Sequence, residues 1–175
     1  MTVRVALQSI EKASLLLDNE QRYGSVGRGA LIYIAFIGAV SEDALKNAVD
    51  VILTANVFHN LSSSDALPRS SDSLSSFPSA DVLIVPQASL GGKLKGRNVQ
   101  FHALVGKSEG ELLYNQFCQL MRKARGVDST TVDSNGVPLV GSAVGSSGRV
   151  INGTWGNRQG LRLESQGPLT HVLDL

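Results

Sequence analysis

Cysteine is almost missing from this 175-residue chain: Cys118 is the single one. No intramolecular disulfide framework and no Cys-rich zinc site can form, and a reducing cytosol suits such a chain. Charge of one sign is missing too. Sixteen Lys and Arg stand against fifteen Asp and Glu, so no global field announces a polyanionic partner and any nucleic-acid contact has to be local. Long apolar runs are absent, because the most apolar stretch, Gly29 to Val40, falls well short of the roughly 20 residues that a membrane span needs. Arg4, Glu11, Lys12, Asp18 and Glu20 interrupt the first twenty residues, which argues against a secretory leader. The expectation is one soluble, cytoplasmic domain over 1–175, with no membrane partner.

The familiar catalytic signatures are absent as well. Gly106-Lys107-Ser108 resembles the end of a phosphate-binding loop, but Phe101 stands where its first glycine belongs. Gly27-Arg28-Gly29 has Ile32 at the third glycine position of a dinucleotide fingerprint, so that match fails. Gly106-Lys107-Ser108-Glu109-Gly110 has the spacing of a Gly-x-Ser-x-Gly elbow, but no strand is predicted to lead into it as such an elbow requires, and His59, His102 and His171 form no paired metal spacing. Classical triad hydrolases and zinc hydrolases are thereby disfavoured, and neither a metal nor a cofactor is expected. Cys118 sits within a predicted helix beside its apolar stripe, which reads as a buried structural thiol.

What is present is periodicity. Val3, Val5 and Leu7 alternate with Arg4, Ala6 and Gln8, the two-residue period of a half-buried strand. Ala30 to Ile37 is apolar throughout and predicts a central strand covered on both faces. Ser41 precedes Glu42 and Asp43 as an N-cap, and Ala44, Leu45, Ala48, Val49, Ile52 and Leu53 form one helical stripe. Asp81 to Val85 predicts a short buried strand stopped by Pro86. A second helix is expected from about Ser108, with Ser108 and Glu111 as a capping box and Leu113, Phe117, Leu120, Met121 and Ala124 on one face. Lys123 and Arg125 suit its negative end, and Gly126 suits its left-handed close. Strand signals return at Val150 to Trp155, Gln159 to Glu164 and Leu169 to Asp174. Two excursions interrupt this order: a Ser-rich run at 61–79, and a Gly/Ser/Val-rich run at 127–148 with a short strand expected at Val137 to Val140. The fold class expected is α+β, with two main helices against a largely antiparallel, partly closed, barrel-like sheet.

Two segments hold residues that propensity alone would not choose. Pro86-Gln87-Ala88-Ser89-Leu90-Gly91-Gly92 carries a buried strand into a small, glycine-rich turn. Its backbone amides could receive an anion or a carbonyl oxygen, with Lys93, Lys95 and Arg97 adding charge nearby. Gly167-Pro168-Leu169-Thr170-His171 is a Gly-Pro corner entering the last strand. Taken alone, each also reads as an ordinary turn.

Together they resemble the D-aminoacyl-tRNA deacylase superfamily, and more closely its branch called D-aminoacyl-tRNA deacylase 2, or animalia-specific tRNA deacylase. That branch carries a Pro-Gln-Ala-Thr-like motif and a Gly-Pro-x-Thr-His motif, matched here by Pro86 to Ser89 and Gly167 to His171. Leu90 to Asn98, Gly106 to Glu111 and Gly153 to Gln159 look similar too. The main branch has Ser-Gln-x-Thr and Asn-x-Gly-Pro-x-Thr; here Pro86 replaces the Ser, Ser89 the Thr and Ser165 the Asn.

The resemblance implies a homodimeric esterase that removes a wrongly attached amino acid (a D-amino acid, glycine or L-alanine) from the 3′ end of a mischarged aminoacyl-tRNA. Main-chain atoms would hold the substrate and the terminal ribose 2′-hydroxyl would assist, which suits a chain with no triad and no metal site. The amides of Ala88, Ser89 and Leu90 are then the candidate carbonyl donors, oriented by Gln87. Pro86 and Gly167, Pro168, Leu169, Thr170 and His171 would bind and screen the aminoacyl group, and Lys93, Lys95, Arg97 and Lys107 would meet the tRNA phosphates. Two other readings stay open: a non-catalytic RNA-end binding module, and a hydrolase of some unrelated small ester.

Overall fold

Val3, Val5 and Leu7 are fully buried along β1 (Thr2–Ile10), so the two-residue period does build the first strand. The computed structural model describes residues 2–59, 61, 71–142 and 145–175. Part of the Ser-rich run, 62–70, and residues 143–144 of the second excursion lie outside the described residues. Eleven further elements follow in order: β2 (Lys12–Leu16), β3 (Tyr23–Val26), β4 (Gly29–Ile37), α1 (Glu42–Thr54), β5 (Asp81–Pro86), β6 (Lys93–Lys95), β7 (Asn98–Gln100), α2 (Lys107–Ala124), β8 (Val150–Asn152), β9 (Leu161–Glu164) and β10 (His171–Asp174).

The main sheet runs β10-β1-β4-β5-β8. β1 is antiparallel to β10 and β4, whereas β4–β5 and β5–β8 are parallel. This corrects the largely antiparallel expectation for that sheet, and no closed barrel forms among the described residues. The cause is connectivity: α1 lies between β4 and β5, and α2 between β5 and β8, and such crossovers join parallel neighbours. The continuous apolar runs of β4 and β5 belong to parallel strands buried on both faces. The α+β class with two helices holds.

Strand parity then divides the core. Ile32, Ile34 and Phe36 face Leu45, Ala48 and Ile52 of α1 and Tyr114, Phe117 and Met121 of α2. Leu31, Leu83, Val85 and Ile151 face the other way, onto Leu15, Leu17 and Val26. Those residues belong to the side of a three-stranded antiparallel sheet, β3-β2-β9, which forms a third layer.

The helix ends show which local signals were decisive. Ser41 caps α1, its hydroxyl accepting from the Ala44 N–H at 3.2 Å. α2 starts one residue early, at Lys107 with Gly106 as its cap, so Ser108 lies inside the first turn and the expected capping box is not formed. Its C-terminus closes as a Schellman motif: Gly126 takes φ +70°, and Val127 and Gly126 donate to the carbonyls of Arg122 and Lys123 at 3.0 and 3.1 Å. Arg125 does more than face the helix dipole. It is buried and donates to the carbonyls of Leu74, Phe77, Pro78 and Ala80 at 2.7–3.0 Å, tying the end of the Ser-rich run to α2.

The second excursion folds back onto the sheet. Asn135 is buried and donates to the Asn152 carbonyl and the Thr154 hydroxyl, each at 2.9 Å. The strand expected at Val137 to Val140 is replaced by a single bridge between Val132 and Pro138, because tight turns at Gly136 and Gly141 leave no straight run to pair. No helix among the described residues is long and apolar enough to cross a membrane.

Candidate active site

Parallel strands β4, β5 and β8 end at one edge of the main sheet, and the crevice beyond such carboxyl ends is where mixed α/β sheets hold ligands. Pro86 closes β5 opposite Ile34, and the Gln87 N–H donates back to the Ile34 carbonyl at 2.8 Å. The chain then makes one 3-10 turn, Ala88–Gly91. The Leu90 N–H donates to the Gln87 carbonyl at 3.2 Å, so this amide, expected as a third carbonyl donor, is already engaged within the turn, and the Gly92 N–H donates to the Ser89 carbonyl at 3.1 Å. Ala88 and Ser89 are exposed, and among the described residues nothing accepts from either N–H. Two adjacent amides without an acceptor among the described residues therefore lie on exposed positions of a turn fixed on both sides.

Arg4 of β1 helps to fix it. Its Nη1 donates to the Leu90 carbonyl at 3.1 Å, while Nε and Nη2 grip both carboxylate oxygens of Asp174 at 2.6 and 2.8 Å. The guanidinium holds the Asp174 carboxyl below the usual carboxylate range, and Asp174 raises Arg4 in turn.

The neighbouring wall is also built from main chain. The Gly153 N–H donates to the Ile84 carbonyl at 2.9 Å, and the buried Tyr114 hydroxyl lies 3.1 and 3.0 Å from the Ile84 and Gly153 carbonyls. Burial pushes the Tyr114 phenol well up, so it acts here as a neutral donor. A Cβ at Gly153 would come 2.4 Å from Gln159 Oε1, 3.0 Å from Leu15 Cδ2 and 3.1 Å from Pro86 Cδ, so a side chain here would require Gln159 to move and the packing against Pro86 to loosen. Trp155 packs at ring-centroid distances of 5.6 Å from Tyr114 and 6.5 Å from Phe36. Lys107 is exposed at the start of α2, and Lys93 and Lys95 are exposed on β6. Arg97 is exposed at the turn of the β6–β7 hairpin, and no carboxylate occurs between Asp81 and Glu109.

Gly167-Pro168-Leu169-Thr170-His171 lies elsewhere. Gly167 takes φ +136°, a conformation that favours glycine, and Leu169 takes φ +35°, a strained value for a side-chain-bearing residue. The Gly167–Pro168 bond is trans, since no cis peptide occurs among the described residues. Pro168, Leu169 and Thr170 are exposed, and His171 opens β10 opposite Leu7 with a buried Nε2 that has no partner among the described residues. The Ser165 hydroxyl donates to the Ser9 carbonyl at 2.8 Å, which puts this turn at the Ile10 end of β1. The first turn is at the Arg4 end. Five residues of strand separate Arg4 from Ser9, roughly 17 Å. One chain does not bring the two turns together.

Comparison with known proteins resolves what this arrangement belongs to. The family model for D-Tyr-tRNA(Tyr) deacylase matches residues 6–174. The chain belongs to the D-Tyr-tRNA(Tyr) deacylase family. A Leishmania major protein provisionally named D-tyrosyl-tRNA(Tyr) deacylase 2 is 46% identical, over 97% of this chain and 99% of that one. Human D-aminoacyl-tRNA deacylase 2 is 34% identical, over 90% of this chain and 82% of its own length. A solved structure described as a probable eukaryotic D-amino acid tRNA deacylase superposes with TM-score 0.90 at 45% identity, covering 100% of both chains.

As a member of the deacylase family the chain is a hydrolase, and its sequence-predicted site residues fall into two groups. Pro86 to Leu90 share the sheet edge that α2 and the Gly153 segment also reach; Gly167 to His171 occupy the far end of β1. Sequence reasoning missed Arg4, Asp174, Tyr114 and Trp155. A cation in an apolar strand was the only signal for Arg4, Trp155 lay unremarked in the Gly153 to Gln159 segment of the resemblance, and nothing marked Tyr114 or Asp174. No group of three or more His, Cys, Asp or Glu among the described residues could hold a metal ion.

Proposed function

We propose that this chain is an aminoacyl-tRNA editing hydrolase that releases a D-amino acid, glycine or L-alanine wrongly joined to the 3′ end of tRNA. The observation that carries the reading is the pair of amides at Ala88 and Ser89 that have no acceptor among the described residues, at the sheet edge of a chain in the deacylase family. An ester carbonyl oxygen placed between them gains stabilisation as it becomes an oxyanion, which is where preorganised donors lower a barrier most. Water adds to the acyl carbon, the bond to the ribose 3′-oxygen breaks, and that oxygen leaves with a proton. The neighbouring 2′-hydroxyl is placed to relay the proton, so no side-chain nucleophile is needed. Leu90 closes the turn and Gln87 orients it.

Gly167 to His171 completes the pocket from a second copy of the chain. Support comes from the separation of the two turns within one chain, and from Leu169 and Val172, 48% and 62% exposed beside β10, which among the described residues pairs on one side only. Lys93, Lys95, Arg97 and Lys107 meet the phosphates; the first three lie in a run without a carboxylate, and Lys107 stands just before Glu109 at its end. The test is a deacylation panel of D-tyrosyl-, glycyl- and L-alanyl-tRNA, run side by side. Turnover of at least one is expected, and the ranking assigns the substrate. Tight binding of every aminoacyl-tRNA with no hydrolysis would reject the enzyme in favour of an RNA-end binding module.

A further inference from the structure

The turn that presents the Ala88 and Ser89 amides is short, exposed and held by few bonds, so whatever fixes its outer half fixes the direction of the two N–H groups. Its inner half is anchored by the Gln87 N–H on the Ile34 carbonyl. Its outer half has one side-chain anchor among the described residues, Arg4 Nη1 on the Leu90 carbonyl at 3.1 Å. Arg4 is itself immobilised, because Asp174 takes Nε and Nη2 in a two-point grip. Asp174 in turn is fixed by pairing opposite Arg4 across β10 and β1, and the next residue, Leu175, exchanges backbone hydrogen bonds with Val3 at 3.0 and 2.9 Å.

We propose that Arg4 is a positioning residue for deacylation: braced by Asp174, its guanidinium sets the orientation of the Ala88 and Ser89 amides through the Leu90 carbonyl. This rests on the reading above, in which those amides receive the ester carbonyl oxygen. The chemistry asks for an arginine. A lysine ammonium can keep one contact with Asp174, but it has no rigid fork to hold both carboxylate oxygens and the Leu90 carbonyl at once. Because β10 begins directly after Gly167 to Thr170, the same bracing runs from one functional turn to the strand that carries the other.

Misdirected amides lose the oxyanion more than they lose the ground-state ester, so the expected signature lies in kcat rather than KM. The experiment measures kcat and KM on the best substrate of the panel for the wild type, Arg4→Lys, Arg4→Ala and Asp174→Asn, with melting temperature in parallel. Arg4→Ala should lose at least about tenfold in kcat with KM within about twofold. Arg4→Lys should show the same pattern in a stably folded protein, and Asp174→Asn a smaller loss. Millimolar guanidinium ion should restore part of the kcat of Arg4→Ala without acting on the wild type. An active wild type with Arg4→Lys at full kcat overturns the role of Arg4 alone, as does a loss that tracks melting temperature and ignores guanidinium. A wild type inert on every ester overturns the deacylase reading and this role with it.

Discussion

Exchanging the Ala88 residue for lactic acid turns one backbone amide into an ester and deletes a single N–H, without adding an atom to the pocket. In the folded chain that N–H has no acceptor among the described residues, so no structural hydrogen bond is lost at the donor side. The exchange does weaken the Gln87 carbonyl, which accepts from Leu90 at 3.2 Å, so a stability cost of about 1 kcal/mol or less is expected. Catalysis should suffer far more. Removing one preorganised oxyanion donor typically costs about 10²–10³ in kcat, or roughly 3–4 kcal/mol, because the donor is worth most when charge has developed on the oxygen. The same exchange at Ser89 should cost a similar factor, and both together less than the product, since one oxygen shares the two donors. Single-turnover release of labelled amino acid from aminoacyl-tRNA measures the rate, and urea unfolding measures the stability. A folded Ala88 variant within about threefold of the wild-type rate would refute the assignment of this amide.

Three further outcomes follow from the packing. Arg125→Met strips four carbonyls of a charged donor and should destabilise the fold by about 3 kcal/mol in urea titration; a change below about 1 kcal/mol would show that the clamp is incidental. Burial pushes the Cys118 thiol up to about 12. A group whose ionisation is disfavoured in the fold contributes stability below its unfolded value, and that contribution fades as pH rises from the ordinary thiol range towards the folded one. Labelling of Cys118 at pH 8 should therefore be slower than in unfolded protein by about three orders of magnitude, and fast native-state modification would contradict this burial. Reversing the charges of Lys93, Lys95 and Arg97 should raise KM for aminoacyl-tRNA and flatten its salt dependence, by about 0.7 in log–log slope for each phosphate left without its cation. An unchanged slope would remove the hairpin from the RNA surface.

How much of this was legible in the sequence depends on whether the signal is local. β1, β4, β5 and α1 were readable because apolar period and the Ser41 cap act within a few residues. Pairing direction was not: the runs from Ala30 to Ile37 and from Asp81 to Val85 looked buried on both faces, yet only the crossover through α1 makes them parallel. The β6–β7 hairpin carries no strand signal in the sequence, because its strands are three residues each and mostly exposed. For the candidate site, both motifs fall on turns of the fold, as Gln87 and the Gly-Pro pair suggest by being unusual where they stand. What stabilises the turns came from far along the chain: Arg4 reaches Leu90 across 86 positions and Asp174 across 170. No periodicity carries such a contact. Arg125 likewise looked like an ordinary helix-end charge until its four carbonyl partners from 74–80 were in place.

The central claim is that the Ala88–Ser89 turn of one copy works with the Gly167–Pro168 turn of another, and mixing two disabled proteins tests it most directly. One variant would carry the ester exchange at Ala88, the other a substitution at Gly167, and each alone should be nearly inactive. If a two-fold dimer builds each site from two chains, half of the randomly mixed dimers are mixed pairs with one intact site of two, so activity should return to roughly a quarter of wild type. No recovery from a mixture in which subunits demonstrably exchange, or full activity from a monomer, would contradict the account.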